Sequence, residues 1–171
     1  MFPIGDAASQ LIVDRKIDPR KLRYTIALSP TYGAMIQAVM DTGDMVGRHI
    51  SKHPLAMATL GPNLWGNAMN AFFFMNNTIG ERENYSLKAL GGRYRDLVKR
   101  ERGTSFFGRL RDMVLENVPG KQFAYATVAT LTAWNVFQWA NYEYVEEAMR
   151  TPATIAAAFI WGGVLSAWSL R

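Results

Sequence analysis

The charges of this 171-residue chain are segregated, and that limits its fold more than any motif does. Seventeen residues without Asp, Glu, Lys or Arg separate Arg23 from Asp41, and 28 separate Lys52 from Glu81. Another 21 separate Lys121 from Glu143, and 20 separate Arg150 from Arg171. A helix needs about 20 residues to cross the ~30 Å hydrocarbon core of a bilayer. In a soluble bundle each helix turns a charged face to water, and a 28-residue neutral run would leave that face bare. The pattern therefore predicts an all-α integral membrane bundle in a single domain, residues 1–171. It has four membrane-spanning helices near 24–42, 54–80, 122–142 and 151–170, with residues 81–121 as a long connection.

The cations point the same way. Sixteen of the 19 Lys and Arg lie in the N-terminal segment, in 81–121 and at the C-terminus, and three lie in 41–52 and 143–150. Cation bias near helix ends sets membrane orientation, so the first three segments are expected to share one side. The net charge of +5 then reflects topology. Nucleic-acid binding is not expected, because six acids interleave with the cations of 81–121 and no nucleic-acid-binding signature accompanies them.

Inside the neutral windows the polar residues are spaced. Asn63, Asn67, Asn70 and Asn77 recur at offsets of four, three and seven, which draws one stripe down a helix. Asn135, Gln138 and Asn141 step by three within "LTAWNVFQWANYEYVEEAMR". An amide facing lipid would be left unsatisfied at a cost of several kcal/mol, so both stripes should face protein or trapped water. They suit interhelical hydrogen bonds of about 1 kcal/mol each, or the lining of a pore. Thr154, Ala158, Gly162 and Ser166 recur every fourth residue, a row of small side chains that lets another helix approach closely. Ile160 and Leu170 on the opposite face suit lipid. Pro30 and Gly33 are expected to kink the first window.

A 41-residue loop is too long to be structureless. Leu87, Leu90, Tyr94, Leu97 and Val98 follow helical spacing, as do Phe106, Phe107, Leu110, Met113 and Val114. Two amphipathic surface helices result, with Arg93, Arg95, Lys99, Arg100, Arg109 and Arg111 on their cationic faces. These suit anionic headgroups such as cardiolipin, or a partner protein.

Catalytic chemistry finds no support. The chain has no cysteine, so thiolate catalysis, disulfides and cysteine-held metals are excluded. His49 and His53 stand at i, i+4, but Pro54 biases His53 away from helix, and two polar loop residues are the expected reading. Glu146 and Arg150 form an i, i+4 pair that supports a helix end. The paired glutamates do not make a metalloprotease site, since no histidine follows residue 53. No phosphate-binding glycine loop or nucleophile elbow appears. No catalytic residue, metal or cofactor is assigned, beyond a bound lipid.

Several residues together resemble the Mpv-seventeen/peroxisomal membrane protein family of small integral membrane proteins. Near the start these are Gly5-Asp6 and Gln10. In the C-terminal third they are Trp134, Asn141-Tyr142, Val145, Arg150, Trp161, Leu165-Ser166 and Trp168. The order covers most of the chain, and the C-terminal part is the specific one. The family's Gly-Pro and Trp-Tyr of the second segment are absent, Glu146 replaces the proline after Val145, and Asn135 follows Trp134. Much of the first membrane helix is missing. The resemblance implies a divergent, N-terminally shortened relative in the mitochondrial inner membrane, or else the peroxisomal membrane, with the basic side facing the matrix. The expected function is an accessory subunit of a larger, respiratory-type membrane complex, touching lipids and other subunits. The alternative is a small solute channel.

Overall fold

The structure is a computed structural model that describes residues 2–13, 15–99 and 105–169. Every regular element among them is helical. The helices are α1 (Phe2–Val13), α2 (Pro19–His49), α3 (Pro54–Gly61), α4 (Asn67–Arg82), α5 (Leu87–Val98), α6 (Phe106–Asn117), α7 (Gly120–Ala129), α8 (Asn135–Tyr144) and α9 (Glu147–Ser169). Two π-helical turns, Pro62–Gly66 and Thr130–Trp134, join α3 to α4 and α7 to α8.

The starts of these helices are written locally. The Asp18 carboxylate accepts from the Arg20 amide at 2.8 Å, ahead of Pro19. His53 does the same for α3, its Nδ1 accepting from the Leu55 amide at 3.2 Å. Ser86 and Ser105 cap α5 and α6. Each satisfies one of the amides that a helix start leaves without a partner. The helical spacing of the 81–121 segment is thus realised as α5 and α6. The imidazole of His53 is spent on its own chain, and both histidines are exposed.

The π turns have physical causes. Pro62 has no N–H to give to the preceding turn, and a widened turn absorbs that loss. The second turn has no proline. There the Thr130 and Thr132 hydroxyls donate back to the carbonyls of Ala126 and Val128, at 2.9 and 2.8 Å. Such back-bonding bends helices. Backbone angles stay right-handed helical at Gly61, Pro62, Gly66 and Asn67, and at Ala129, Thr130, Trp134 and Asn135. Residues 54–82 and 120–144 are therefore two continuous rods, each with one π turn. They pack side by side at those turns: a side chain on Gly66 would touch Thr130 Cγ2 at 3.3 Å. The expected kink at Pro30 does not interrupt α2, which is assigned as one helix from Pro19 to His49.

The neutral windows fall inside α2, the two rods and α9. The all-α expectation holds, and among the described residues no helix is long and apolar enough to cross a membrane. The π turns divide two windows into short helices, and amides, glycines and hydroxyls dilute the apolar content of the rest.

Buried Tyr24, Leu28, Tyr32 and Ile36 form an every-fourth-residue stripe on α2. It packs against Phe73, Phe74 and Ile79 of α4, with Ala126, Trp134, Ala158 and Leu165 closing the core. Helix α1 lies along α9. A Cβ on Gly5 would come within 2.8 Å of the Phe159 carbonyl and 3.0 Å of the Gly163 amide. Glycine there lets the two backbones meet.

Candidate functional site

Beside its apolar core, this bundle buries a set of amides and hydroxyls. Asn70, Asn76, Gln138, Asn141, Thr130 and Thr154 are all at most 2% exposed. They form three hydrogen-bonded groups along the axis.

The middle group ties both rods to α9. The Trp161 indole donates to Asn70 Oδ1 at 3.1 Å, and Asn70 Nδ2 donates to the Thr130 hydroxyl at 2.9 Å. Beside it, Asn135 Nδ2 donates to Asn63 Oδ1 at 3.3 Å, joining the two π turns. Trp134 lies against Trp161 with the rings tilted, ring centres 6.2 Å apart.

The second group sits at the α8–α9 corner. Thr154 Oγ1 accepts from Gln138 Nε2 at 3.3 Å and from Asn141 Nδ2 at 3.0 Å, and donates to Met40 Sδ at 3.2 Å. Asn141 Nδ2 also reaches the Arg150 carbonyl at 3.2 Å. Arg150 donates to the carbonyls of Val145 and Tyr142, both at 3.1 Å, with its guanidinium 5.1 Å from the Tyr142 ring centre. It thus caps the C-terminal end of α8, where a cation is favoured by the helix dipole. The Tyr142 hydroxyl in turn donates to the Met40 carbonyl at 3.3 Å.

The third group joins α2, α4 and α5. Asn76 is its centre: Tyr24 donates to its carbonyl at 2.8 Å and Tyr94 to its Oδ1 at 3.0 Å. Burial pushes the Tyr94 phenol up to about 12, and the bond to Asn76 offsets part of that. The folded state therefore holds this proton more tightly than the unfolded chain. Stability linked to Tyr94 is complete below about pH 10, the unfolded value, and is lost as the pH rises toward 12. Tyr94→Phe should flatten that alkaline loss, measured as melting temperature between pH 9 and 12, against a lower plateau at neutral pH.

The sequence-predicted residues are thus dispersed among distinct roles. Of the first amide stripe, Asn70 is fully partnered across helices. Asn67 donates only to the Asn63 carbonyl of its own rod, and Asn77 is buried at the edge of the core. Of the second, Asn135, Gln138 and Asn141 all bridge to other elements. Asn76 is absent from the predicted stripes because the spacing of Asn63, Asn67 and Asn70 passes over it. Its adjacency to Asn77 and the buried face of Tyr94 were the available signals. Of the small-residue row, Thr154, Ala158 and Gly162 are buried within the chain itself, in part against α1, and Ile160 opposite is 68% exposed. The side chains of Ser166 and Asp6, like Trp168, Leu170 and Arg100, lie outside the described residues.

The family-type residues converge more closely than their sequence distances suggest. Trp134 and Trp161 meet near Asn70, Leu165 is fully buried, and Asn141, Tyr142, Val145 and Arg150 form the corner. Gln10 is 1% exposed, and its Oε1 accepts from the Asp18 amide at 2.7 Å. The cations of 81–121 are engaged locally. Arg93 pairs with Glu83 at 3.2 Å, Lys99 with Asp96 at 2.9 Å and Arg111 with Asp112 at 2.9 Å, while Arg109 donates to the Leu97 carbonyl and Arg95 is exposed. The expected Glu146–Arg150 pair gives way to the α8 cap, because the chain breaks helix between Tyr144 and Glu147. Among the described residues no group of three or more His, Cys, Asp or Glu could hold a metal ion. No family model matches the chain, and neither a curated protein nor a solved structure does.

Proposed function

We propose that the chain is a non-catalytic integral membrane protein, a helical scaffold held in a larger membrane assembly. The observation that carries this is that amides are buried inside the bundle while large apolar side chains stand on its outside. Asn70 and Gln138 are 0% exposed, while Leu64, Val136 and Ile160 are between 56% and 68% exposed on the outer faces of the same rods and of α9. Paired amides inside and apolar side chains outside suit a hydrocarbon surrounding. A bundle whose polar groups pair inside needs only its outward faces to be apolar, so no single helix has to be apolar all round. The rod of residues 54–82 is about 43 Å long and that of 120–144 about 37 Å at 1.5 Å per residue, enough to cross the ~30 Å core. The four crossings are then α2, the two rods and α9, with α5 and α6 at the surface on the cation-rich side.

The resemblance to the Mpv-seventeen/peroxisomal membrane protein family supports the mitochondrial inner membrane, with the N-terminus, 81–121 and the C-terminus on the matrix side. The accessory-subunit reading is favoured over a channel by Asn70, Asn135, Gln138 and Asn141, which bond to side chains of neighbouring helices, the arrangement that seals an interior. Limited proteolysis of sealed vesicles checks the topology. Cleavage within 81–121 should come from one face and cleavage within 143–150 only from the other; cuts at both from one face contradict four crossings. Sizing the protein extracted in mild detergent checks the assembly, a particle far larger than one chain with its micelle being expected.

A further inference from the structure

The outer faces of the bundle differ in kind. Residues 54–82 turn Leu55, Leu60 and Leu64 outward, residues 120–144 turn out Val128, Leu131 and Val136, and α9 turns out Ile160. Helix α2 is the exception. Opposite its buried stripe stand Ile26, Pro30, Gly33, Ala34 and Gln37, all exposed. Ile26 is the one large apolar side chain exposed between Arg23 and Asp41. A Cβ on Gly33 would meet no atom within 4 Å, so nothing in this chain accounts for a glycine in a helix interior, where it is unfavourable. Pro30 has no N–H, so the Ile26 carbonyl lacks its usual donor four residues on. Hydrocarbon gives such a carbonyl nothing to bond to, whereas small residues let a second helix approach closely.

The two ends of this face carry opposite charges. Arg23 stands at the cation-rich end, its Nε donating to the Pro19 carbonyl at 3.3 Å, and among the described residues no carboxylate pairs with it. Asp41 closes the other end, accepting from Gln37 Nε2 at 2.8 Å. Eighteen helical steps set the two charges about 27 Å apart, close to the ~30 Å thickness of the hydrocarbon core. Two copies of this chain in one membrane share an orientation. Their α2 helices would pack in parallel, with Arg23 beside Arg23 and Asp41 beside Asp41, and like charges oppose that pairing.

We propose that this face of α2 docks a membrane-spanning helix of a different subunit. The partner helix carries small residues along the contact and a hydroxyl or amide donor for the Ile26 carbonyl. It places an acid at the Arg23 end and a cation at the Asp41 end. The proposal rests on the membrane-scaffold reading above and adds where the assembly is held.

The test extracts the tagged full chain from its native membranes in mild detergent and measures the fraction found in the large particle. Gly33→Leu and Ala34→Leu should each lower that fraction about tenfold, the effect that overpacking a helix seam implies. Ala133→Leu adds the same bulk as Ala34→Leu at an exposed position of the 120–144 rod, and should not. Arg23→Gln/Asp41→Asn should lower the fraction as well; a second copy on this face would instead be held more tightly once the like charges are gone. Thermal melts of the free chains separate lost docking from lost folding. Where a leucine variant melts lower than wild type, the charge variant, which touches no core residue, decides. A large particle that the α2 variants leave intact, or that Ala133→Leu disrupts equally, overturns this proposal alone. A wild-type chain that migrates by itself with its micelle overturns the assembly reading along with it. A particle of two identical chains, tightened by Arg23→Gln/Asp41→Asn, overturns the different-subunit partner.

Discussion

Gly61→Ala is expected to be among the most destabilising single-methyl additions the chain can receive. A Cβ at Gly61 would press on the Val39 carbonyl oxygen, with the Val39 carbonyl carbon and Cα at 3.2 and 3.3 Å. All three are backbone atoms in the middle of α2, so no side chain can swing aside. Either α2 and α3 separate or the π turn that begins at Pro62 shifts. Overpacking of a close-packed seam costs about 1–3 kcal/mol. For a chain of this length that lowers the melting temperature by about 2–4 °C per kcal/mol. Gly33→Ala is the contrast. Gly33 lies on α2 with open space around it, and alanine there should stabilise by about 0.5–1 kcal/mol through helix propensity alone. Thermal melts of the two variants side by side decide the matter. Equal stabilisation by both would mean that α2 and α3 do not meet at Gly61.

Asn141→Leu should cost about 2–3 kcal/mol and create no conductance. Leucine matches the volume, but Gln138 Oε1 loses the donor 3.4 Å away, and Thr154 Oγ1 loses the shorter of its two donors. Both groups stay buried, so each carries a desolvation penalty of roughly 1–3 kcal/mol, partly relieved by repacking. Combining the change with Thr154→Val should be less than additive, because the two residues share one network. The same experiment separates glue from pore. Purified protein in liposomes should pass no small solute, with or without the substitution. Solute flux through the wild type that Asn141→Leu alters would overturn the scaffold reading and favour a channel lined by these amides.

The corner around Asn141 also shows how far sequence reasoning could reach. Asn135, Gln138 and Asn141 step by three, so their common face follows from helix geometry, and the structure buries Gln138 and Asn141 on it. Their partners do not follow. Thr154 was visible only as a small residue in a row spaced for helix packing. Arg150 was visible as one half of a pair with Glu146 and as one of the residues that carry the family resemblance. The break at Val145 and Glu146 folds α9 back onto α8, and that reversal turns Thr154 into the acceptor and Arg150 into the cap.

What the sequence by itself determined is local. Long neutral runs, Asp18-Pro19, His53-Pro54, and the serines before α5 and α6 placed the helices, because caps and periodicity act over three or four residues. The amide stripes marked which faces would be turned away from apolar surroundings. The tertiary structure decided the rest. It put the two π turns against each other and made Asn76 the junction of Tyr24 and Tyr94, 52 residues and 18 residues away in the chain. It covered part of the Thr154–Gly162 row with the chain's own α1, through the close approach at Gly5. It also enclosed Lys21, a residue that reads in sequence as one more surface cation. Each of these outcomes depends on which helices become neighbours. Helical spacing fixes the direction a side chain faces about its own axis, and burial depends on what another segment brings to meet it.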